Sequence, residues 1–318
     1  MHLGFQKKPY SFSLQRSLRT FRGSLDQREG WLLRIEHPNG QSGWGEVSPF
    51  SKNEKRACEI FLDEIGPSPS RQKLEEEIVT WPGPLAFGVG AALAELDGLV
   101  GSFSQEGWLS APESAFLLPH GSSLFKTLES VKLENSPKTF KLKVAISSDR
   151  AEVEIVKEIL SCLPSEATLR IDANGGWNRK QARDWGERVL YEPRIQWIEQ
   201  PLRADDFDGL WDLVQKFPIA LDESLLIDRS LIKTWPGWQV RRPLLEGDPR
   251  LLLQQLQDGL ARVMISTAFE TGIGRRWVNH LAALQLKGPT PTAPGLAPGW
   301  CPEGSLFSSD PIAVWNAA

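Results

Sequence analysis

The sequence has 318 residues, of which 41% are hydrophobic and 24% are charged, and its formal net charge is −4. This composition is typical of a globular, water-soluble chain of one large or two moderate domains. The small negative charge argues against a nucleic-acid partner. No apolar run approaches the ~18 residues of a membrane span, so a membrane is not expected as a partner either.

The N-terminus and the cysteines indicate a compartment. The opening residues, MHLGFQKKPYSF, lack the apolar core of a secretory signal. Cys58, Cys162 and Cys301 are too few and too far apart for a disulfide framework or a zinc site. We therefore expect a cytoplasmic protein, and the sequence leaves its oligomeric state open.

Residues 1–108 are expected to form a small α+β domain. The stretch GWLLRIEHPNGQSGWGEVSPF predicts a β-hairpin whose turn surrounds Pro38, Asn39 and Gly40. Helical patterns follow near residues 55–64 and 85–100. Gly88 and Gly90 precede an Ala-rich helix, but the strand and the acidic partner of a dinucleotide site are missing around them. Close helix packing is the better interpretation.

Residues 109–289 show a different pattern. Short apolar runs alternate with amphipathic segments such as DRAEVEIVKEIL and NRKQARDWGERVL, which predicts βα units and a parallel sheet. Seven runs in succession favour a (β/α) barrel over a doubly wound sheet. The runs are SAFLLPH, TFKLKVAI, ATLRIDAN, IQWIEQP, PIALDES, GWQVRRP and ARVMIST. The Pro/Gly-rich tract after Gly288 is predicted to be a loop, with residues 290–318 packing back on the first domain.

Polar residues recur near the carboxyl ends of successive predicted strands, 20 to 29 residues apart. Each step is about one βα unit, so these side chains are expected to meet at the carboxyl end of the barrel, where active sites of this fold lie. The residues are Lys143, Asp172, Glu199, Asp222, Arg242 and Ser266.

The three acids of this set predict a metal site. Converging carboxylates repel one another unless a cation joins them. Oxygen ligands without His or Cys select a hard ion, so we expect Mg²⁺, with Mn²⁺ as a substitute. A single acid at a strand end is often only a helix N-cap. Three at regular spacing, after a strand with two lysines, favour the metal.

Lys141 and Lys143 alternate in TFKLKVAISS and therefore share one face of their strand. Inside a barrel they would lie beside the metal. Like charge and partial burial are expected to lower a lysine pKa and release a neutral amine. A lysine base next to a divalent ion is suited to removing a proton α to a carboxylate.

Motifs between about residues 43 and 296 resemble those of the enolase superfamily, and within its muconate-lactonizing-enzyme-like subgroup those of the o-succinylbenzoate synthase family. The set of acids and lysines is specific for the superfamily. The stretches AFGVGAALAEL and ISTAFETGIG indicate the subgroup with less specificity. The motifs are GWGEVSPF, AFGVGAALAEL, KLK, IDAN, WIEQP, LDES, ISTAFETGIG and APGL.

The resemblance implies an α/β fold, a TIM-like (β/α)7β barrel with an N-terminal α+β capping domain. It implies a Mg²⁺-dependent carbon–oxygen lyase, a dehydratase acting on a small carboxylate. The reaction would convert 2-succinyl-6-hydroxy-2,4-cyclohexadiene-1-carboxylate to o-succinylbenzoate in menaquinone or phylloquinone biosynthesis.

The resemblance also implies roles for individual residues. Lys143 would take the α-proton and then protonate the leaving hydroxyl, while Lys141 would support the substrate carboxylate and the pKa of Lys143. The implied metal ligands are Asp172, Glu199 and Asp222, and the implied substrate contacts are Asn174, Ser266 and the backbone at Gly295.

The chain departs from the family at the sixth strand, where the family usually has Lys-Pro. Here QVRRP places Arg242 at that position, although Arg241 is the inward residue if the register differs. An arginine stays protonated and is a poor proton shuttle. It can still stabilise an enediolate by its charge over a π-face.

Three alternatives remain open. The first is an N-acylamino acid racemase or dipeptide epimerase, which needs a base on both faces of its substrate, so Arg242 weighs against it. The second is a non-catalytic descendant, disfavoured by the intact Lys143 and acids. The third is a Schiff-base aldolase using Lys143, in which the three acids would have no purpose.

Overall fold

The N-terminal domain contains a three-stranded antiparallel sheet of strands β1 (Gly4–Thr20), β2 (Gly23–Glu36) and β3 (Ser42–Val47). The computed structural model describes residues 1–318 except 21–22, 120, 122 and 134–138. The predicted hairpin is β2 and β3. Strand β1 was not predicted, because its buried Phe5, Tyr10 and Leu14 do not keep a two-residue alternation.

Three helices complete this part: α1 (Lys52–Ile65), α2 (Arg71–Glu77) and α3 (Gly83–Leu96). Helix α3 packs so closely on β3 that a Cβ at Gly45 would lie 1.8 Å from the Gly88 carbonyl oxygen. The glycines of α3 therefore serve packing, as predicted. The segment Gly83–Phe103 has the length and hydropathy of a membrane span, but 72% of its apolar window is buried, as in the core helix of a folded protein.

The second part of the chain forms a parallel sheet of seven strands that follow one another in chain order. The predicted fold class is confirmed. His120, the last residue of the first predicted run, lies outside the described residues. The strands are β4 (Phe116–Leu117), β5 (Thr139–Lys143), β6 (Thr168–Asp172), β7 (Ile195–Glu199), β8 (Ile219–Leu221), β9 (Trp238–Arg241) and β10 (Val263–Ile265).

The remaining helices connect these strands or follow them. They are α4 (Ser123–Leu133), α5 (Asp149–Cys162), α6 (Arg179–Val189), α7 (Phe207–Val214), α8 (Glu223–Ile227), α9 (Leu231–Thr234), α10 (Pro243–Glu246), α11 (Pro249–Gln257), α12 (Gly272–Leu286) and α13 (Pro311–Ala317).

The Pro/Gly-rich tract contributes to the barrel, which corrects the expectation that it is only a loop. Gly295 forms a parallel bridge with Ser266, just after β10. The Ala115 amide, just before β4, donates to the Pro294 carbonyl at 2.9 Å. The tract thus lies between the first and last strands, as the final strand of a (β/α)7β barrel does. The prediction missed it because proline and glycine disfavour strands.

Alternation along the strands decides which side chains face the barrel interior. Phe140 and Leu142 of β5 belong to the core that the strands share with the outer helices. A separate buried cluster lies inside the barrel, on the strand faces that point away from the outer helices. Its members are Trp197, Ala220, Val240 and Met264. Lys141 and Lys143, which alternate with the outward residues, therefore face the interior.

The C-terminal helix α13 lies against the N-terminal sheet. Val314 shares a buried cluster with Tyr10, Leu32 and Trp44. The Trp44 and Trp315 ring centroids are 5.7 Å apart. The division of the chain into a capping domain of residues 1–108 and a barrel of residues 109–289 stays a prediction.

Candidate active site

The three predicted metal ligands lie at the carboxyl ends of three adjacent strands. Lys143 of β5 is in register with Asp172 of β6, and Asp172 is in register with Glu199 of β7. Asp222 directly follows β8. Each of the three carboxylate residues is at most 1% exposed. Burial of this much negative charge requires cationic partners.

Lys141 is one such partner. Its Nζ lies 2.8 Å from Asp172 Oδ2 and 2.7 Å from Glu199 Oε1. Burial opposes its ionisation, but attraction by Asp172 and Glu199 outweighs burial and raises the pKa of Lys141 above its ordinary value. The expectation of a lowered lysine pKa is therefore wrong for Lys141, because the attraction of the two carboxylates that contact its amine outweighs the effect of burial.

Lys143 is held by a different contact. Its Nζ donates to Asn174 Oδ1 at 3.0 Å. Asn174 is itself fixed, because its backbone amide donates to Asp172 Oδ1 at 3.0 Å and its side-chain amide donates to Glu223 Oε1 at 3.3 Å. Its φ of 44° is in the left-handed region, which asparagine tolerates better than most residues. Asn174 therefore orients the amine of Lys143.

Arg242 is the second cation that holds a predicted metal ligand. Its Nε and Nη2 donate to the two oxygens of Asp222 at 2.8 and 2.6 Å, and its Nη1 donates to the Thr267 carbonyl at 2.7 Å. Arg241 instead pairs with Glu246 at 2.6 Å. Arg242 is thus the inward residue. Burial disfavours its charge, but Asp222 more than compensates and raises the pKa of Arg242.

The carboxylates fit a divalent metal by their chemistry. Within the described ranges, no group of three or more His, Cys, Asp and Glu side chains is arranged to hold a metal ion as the side chains stand. Lys141 and Arg242 occupy the oxygens instead. Three buried oxygen-only donors, each satisfied by positive charge, are the ligand type that a hard divalent cation takes.

Ser266 and Gly295 lie side by side beyond the end of β10. The Ser266 hydroxyl is 3.3 Å from the Gly295 carbonyl oxygen, and the Thr267 amide donates to the same carbonyl at 3.0 Å. This carbonyl belongs to the tract that adjoins β4. Their predicted contact with substrate stays a prediction.

Sequence reasoning missed Arg170, which lies in the barrel two residues before Asp172. Its guanidinium is 4.2 Å from the Trp197 ring centroid and donates to the Thr292 hydroxyl at 2.7 Å. Burial lowers the pKa of Arg170 to about 9, although Glu199 opposes this. The signal was available, because Arg170 alternates with Asp172 just as Lys141 does with Lys143.

Gln200 and Glu223 were also missed. Gln200 Oε1 accepts hydrogen bonds from the backbone amides of Asp222 and Ser224 at 3.1 and 3.2 Å, so it shapes the chain around a predicted ligand. Burial, with repulsion from Asp222 and Asp172, raises the pKa of Glu223 to about 8. Each residue directly follows a predicted metal ligand, which was the only sequence signal.

Enolase-superfamily enzymes have this arrangement. Their barrel carries two lysines on one strand and Asp, Glu and Asp on the next three strands, and an α+β domain covers it. The family model described as "Enolase C-terminal domain-like" matches residues 126–230. The chain is 32% identical over 289 residues to o-succinylbenzoate synthase of Thermosynechococcus vestitus, and the aligned region covers 87% of this chain and 88% of that protein. This chain belongs to the o-succinylbenzoate synthase family.

Other relatives agree with this assignment. The o-succinylbenzoate synthase of Edwardsiella ictaluri is 29% identical over 297 residues, covering 86% of this chain and 83% of that protein. The crystal structure of o-succinylbenzoate synthase from Thermosynechococcus elongatus BP-1, complexed with Mg in its active site, matches with a TM-score of 0.84 at 28% identity, covering 99% and 100% of the two chains. The L-Ala-D/L-Glu epimerase of Bacillus subtilis, with a TM-score of 0.73 at 21% identity over 95% and 91%, shares the fold.

Proposed function

We propose that this protein is a Mg²⁺-dependent carbon–oxygen lyase that converts 2-succinyl-6-hydroxy-2,4-cyclohexadiene-1-carboxylate to o-succinylbenzoate and water. The observation that carries the proposal is Lys143, oriented by Asn174 beside buried carboxylates at the barrel mouth, in a chain of the o-succinylbenzoate synthase family. The reaction belongs to menaquinone or phylloquinone biosynthesis. Its setting would be the cytoplasm, which suits three free cysteines.

Asp172, Glu199 and Asp222 would hold the divalent ion. Their place at the ends of β6, β7 and β8 brings oxygen donors together from three strands. When bound, the ion supplies positive charge to the substrate carboxylate whose α-proton is removed. Lys141, which touches both Asp172 and Glu199, would keep these two carboxylates oriented and add charge on the same side.

Lys143 would carry both proton transfers. Its neutral amine takes the proton from the carbon α to the carboxylate, and the electron pair left on that carbon forms the new ring double bond as the C–O bond breaks. The resulting ammonium gives its proton to the departing hydroxyl, which leaves as water. One lysine thus serves as base and then as acid, and the ring becomes aromatic without a net change in protons on the enzyme.

Asn174, Ser266 and the Gly295 backbone would bind the small-molecule substrate. Asn174 also accepts a hydrogen bond from the Lys143 amine. One side chain would therefore both contact the substrate and orient the base. Arg242 would act by its charge from the side of the substrate opposite Lys143, because its pairing with Asp222 keeps the guanidinium protonated. A permanently charged residue at this position supports dehydration over racemisation, which needs a second base.

Removal of the metal tests the proposal directly. EDTA should abolish dehydration, and Mg²⁺ should restore it. Glu199→Gln should keep the fold but weaken Mg²⁺ binding and activity, because it removes a ligand charge at a residue with 0% exposure. Metal binding measured by calorimetry, with turnover followed by ultraviolet absorbance, checks both effects. Full turnover in EDTA would exclude a metal-dependent reaction.

The loop after Lys143 gives a second prediction. Glu152 of α5 accepts hydrogen bonds from the backbone amides of Ala145, Ile146 and Ser147 at 2.9, 2.8 and 2.8 Å. Glu152→Ala should lower kcat by about 10²-fold, because a base displaced by ~1 Å loses its near-attack geometry. Glu154→Ala, at an exposed position on the same helix, is the control for steady-state kinetics. Equal kcat values for both variants would contradict this role for the loop.

A further inference from the structure

Glu46 of β3 is a buried carboxylate that reaches from the N-terminal domain to the barrel. Its oxygens accept hydrogen bonds from the Thr271 amide at 3.0 Å, the Thr271 hydroxyl at 2.5 Å and the Gly274 amide at 2.9 Å. Tyr10 of β1 donates to it at 2.7 Å. Thr271 and Glu46 are 225 residues apart in sequence, so this contact joins two distant parts of the chain.

These contacts place the carboxylate at the N-terminus of α12, a helix of 15 residues. The first amides of a helix lack partners within it, and the positive end of its dipole favours an anion. Burial raises the pKa of Glu46, but the hydrogen bonds from Thr271 and Tyr10 favour its charged form. The fit is close, because a Cβ at Gly274 would lie 2.8 Å from Glu46 Oε2.

The start of α12 is also the end of the loop that follows β10, residues 266–271. This loop is held by its own buried groups: Glu270 accepts from the Thr267 hydroxyl and the Ala268 amide, both at 2.8 Å. Phe269 has a φ of 59°, which a bulky residue adopts only where its surroundings impose it. The position of the loop is therefore fixed where Glu46 binds Thr271.

The same loop reaches the candidate active site. The Thr267 carbonyl accepts a hydrogen bond from Arg242 Nη1 at 2.7 Å, and Arg242 holds both oxygens of Asp222. The Thr267 amide donates to the Gly295 carbonyl at 3.0 Å. Direct contacts thus lead from Glu46 through the loop to Arg242 and Asp222.

We propose that Glu46 is a positioning residue for the reaction: its carboxylate anchors loop 266–271 to the N-terminal domain and so sets the place of Arg242 relative to Asp222. The inference rests on the proposed function for its kinetic effect, whereas the anchoring itself does not depend on which reaction the protein catalyses. Glu46 acts through the loop and Arg242 and does not touch the reacting atoms.

Hydrogen–deuterium exchange tests the anchoring in Glu46→Gln. The variant keeps the shape of the side chain but turns an amide NH₂ toward groups that all donate. Exchange at residues 266–274 should become faster. Glu95→Gln is the matched control, because Glu95 is also a buried carboxylate of the N-terminal domain and pairs with Arg276 of the same helix α12 at 2.8 Å. It should leave exchange at 266–274 unchanged.

Steady-state kinetics test the positioning. Glu46→Gln should lower kcat at least about tenfold, and Glu95→Gln should stay within about twofold of the unmodified protein. Arg242→Met should then cause a smaller further loss of kcat in the Glu46→Gln background than it causes alone, because both substitutions act on the same guanidinium. A merely structural role would lower the melting temperature and leave the two substitutions independent in kcat.

Each outcome decides a separate point. Unchanged exchange at 266–274 in Glu46→Gln overturns the anchoring, and faster exchange with unchanged kcat overturns the positioning role. If the unmodified protein does not dehydrate the substrate, the proposed function is wrong, but hydrogen–deuterium exchange still tests whether Glu46 anchors the loop. If Glu46→Gln does not fold, Tyr10→Phe replaces it. That variant removes the phenol donor to Glu46 and should shift exchange and kcat in the same directions by less.

Discussion

Replacement of Lys143 by alanine is expected to abolish dehydration, leaving at most a trace of turnover. General base and general acid catalysis are typically each worth ~10²–10⁴-fold, and both would be lost with one amine. Absorbance of the aromatic product gives the rate. Circular dichroism should show an unchanged fold, because removal of Lys143 leaves the paired carboxylates Asp172 and Glu199 with Lys141.

Two further variants separate charge from proton transfer. Lys143→Arg keeps a cation at the barrel mouth but cannot supply a neutral base near pH 7, since the ordinary arginine pKa is about 12.5–13.8. It should be as inactive as the alanine variant. Lys180→Ala, on the exposed face of α6, should retain full activity. Near-normal rates in Lys143→Ala would rule out a mechanism with this residue as the only base.

The periodicity of the sequence was sufficient to predict the seven strands of the parallel sheet and most of the residues that meet at their carboxyl ends. Alternation in TFKLKVAISS assigned Lys141 and Lys143 to one face, and the short apolar runs ended at Asp172, Glu199 and Asp222. These features are local, because the side-chain direction in a strand depends only on position along it. A choice between Arg241 and Arg242 needed the register of β9, which neighbouring strands determine.

Features that depend on distant residues could not be predicted. The sign of the Lys141 pKa shift depends on how many carboxylates surround its amine, and that number exists only in the folded chain. The bond between Glu46 and Thr271 joins residues 225 positions apart. Gly295 lies in a Pro/Gly-rich tract, and its bridge to Ser266 depends on tertiary contacts that these residue types do not indicate.

Arg242→Met is expected to lose dehydration activity, whereas Arg242→Lys should retain much of it. Methionine keeps most of the length but removes the charge. Lysine keeps the charge, although as a point instead of the planar fork that holds both oxygens of Asp222. Turnover of the three proteins at saturating Mg²⁺ gives the comparison. Equal activity of Arg242→Met and the unmodified protein would show that this charge has no part in the reaction.

Stability measurements examine the same ion pair without reference to turnover. In EDTA, Arg242→Met leaves the Asp222 carboxylate, 1% exposed, without its two guanidinium bonds, which should destabilise the protein by about 3–5 kcal/mol. Mg²⁺ should then raise the melting temperature more in Arg242→Met than in the unmodified protein, because the ion no longer competes with the guanidinium for Asp222. Arg203→Met, at an exposed surface pair, is the control.

Proton exchange in D₂O finally distinguishes the role of Arg242 as a charge from a role as a base. If only Lys143 removes protons, the protein should exchange the α-proton of one enantiomer of an N-succinyl amino acid and leave the other unchanged. Proton NMR measures both rates directly. Because the carboxylate of Asp222 holds Arg242 in its charged form, we expect the face opposite Lys143 to offer a cation to the substrate. Rapid exchange from both enantiomers would require a second base there, and racemisation would then explain the site better than dehydration.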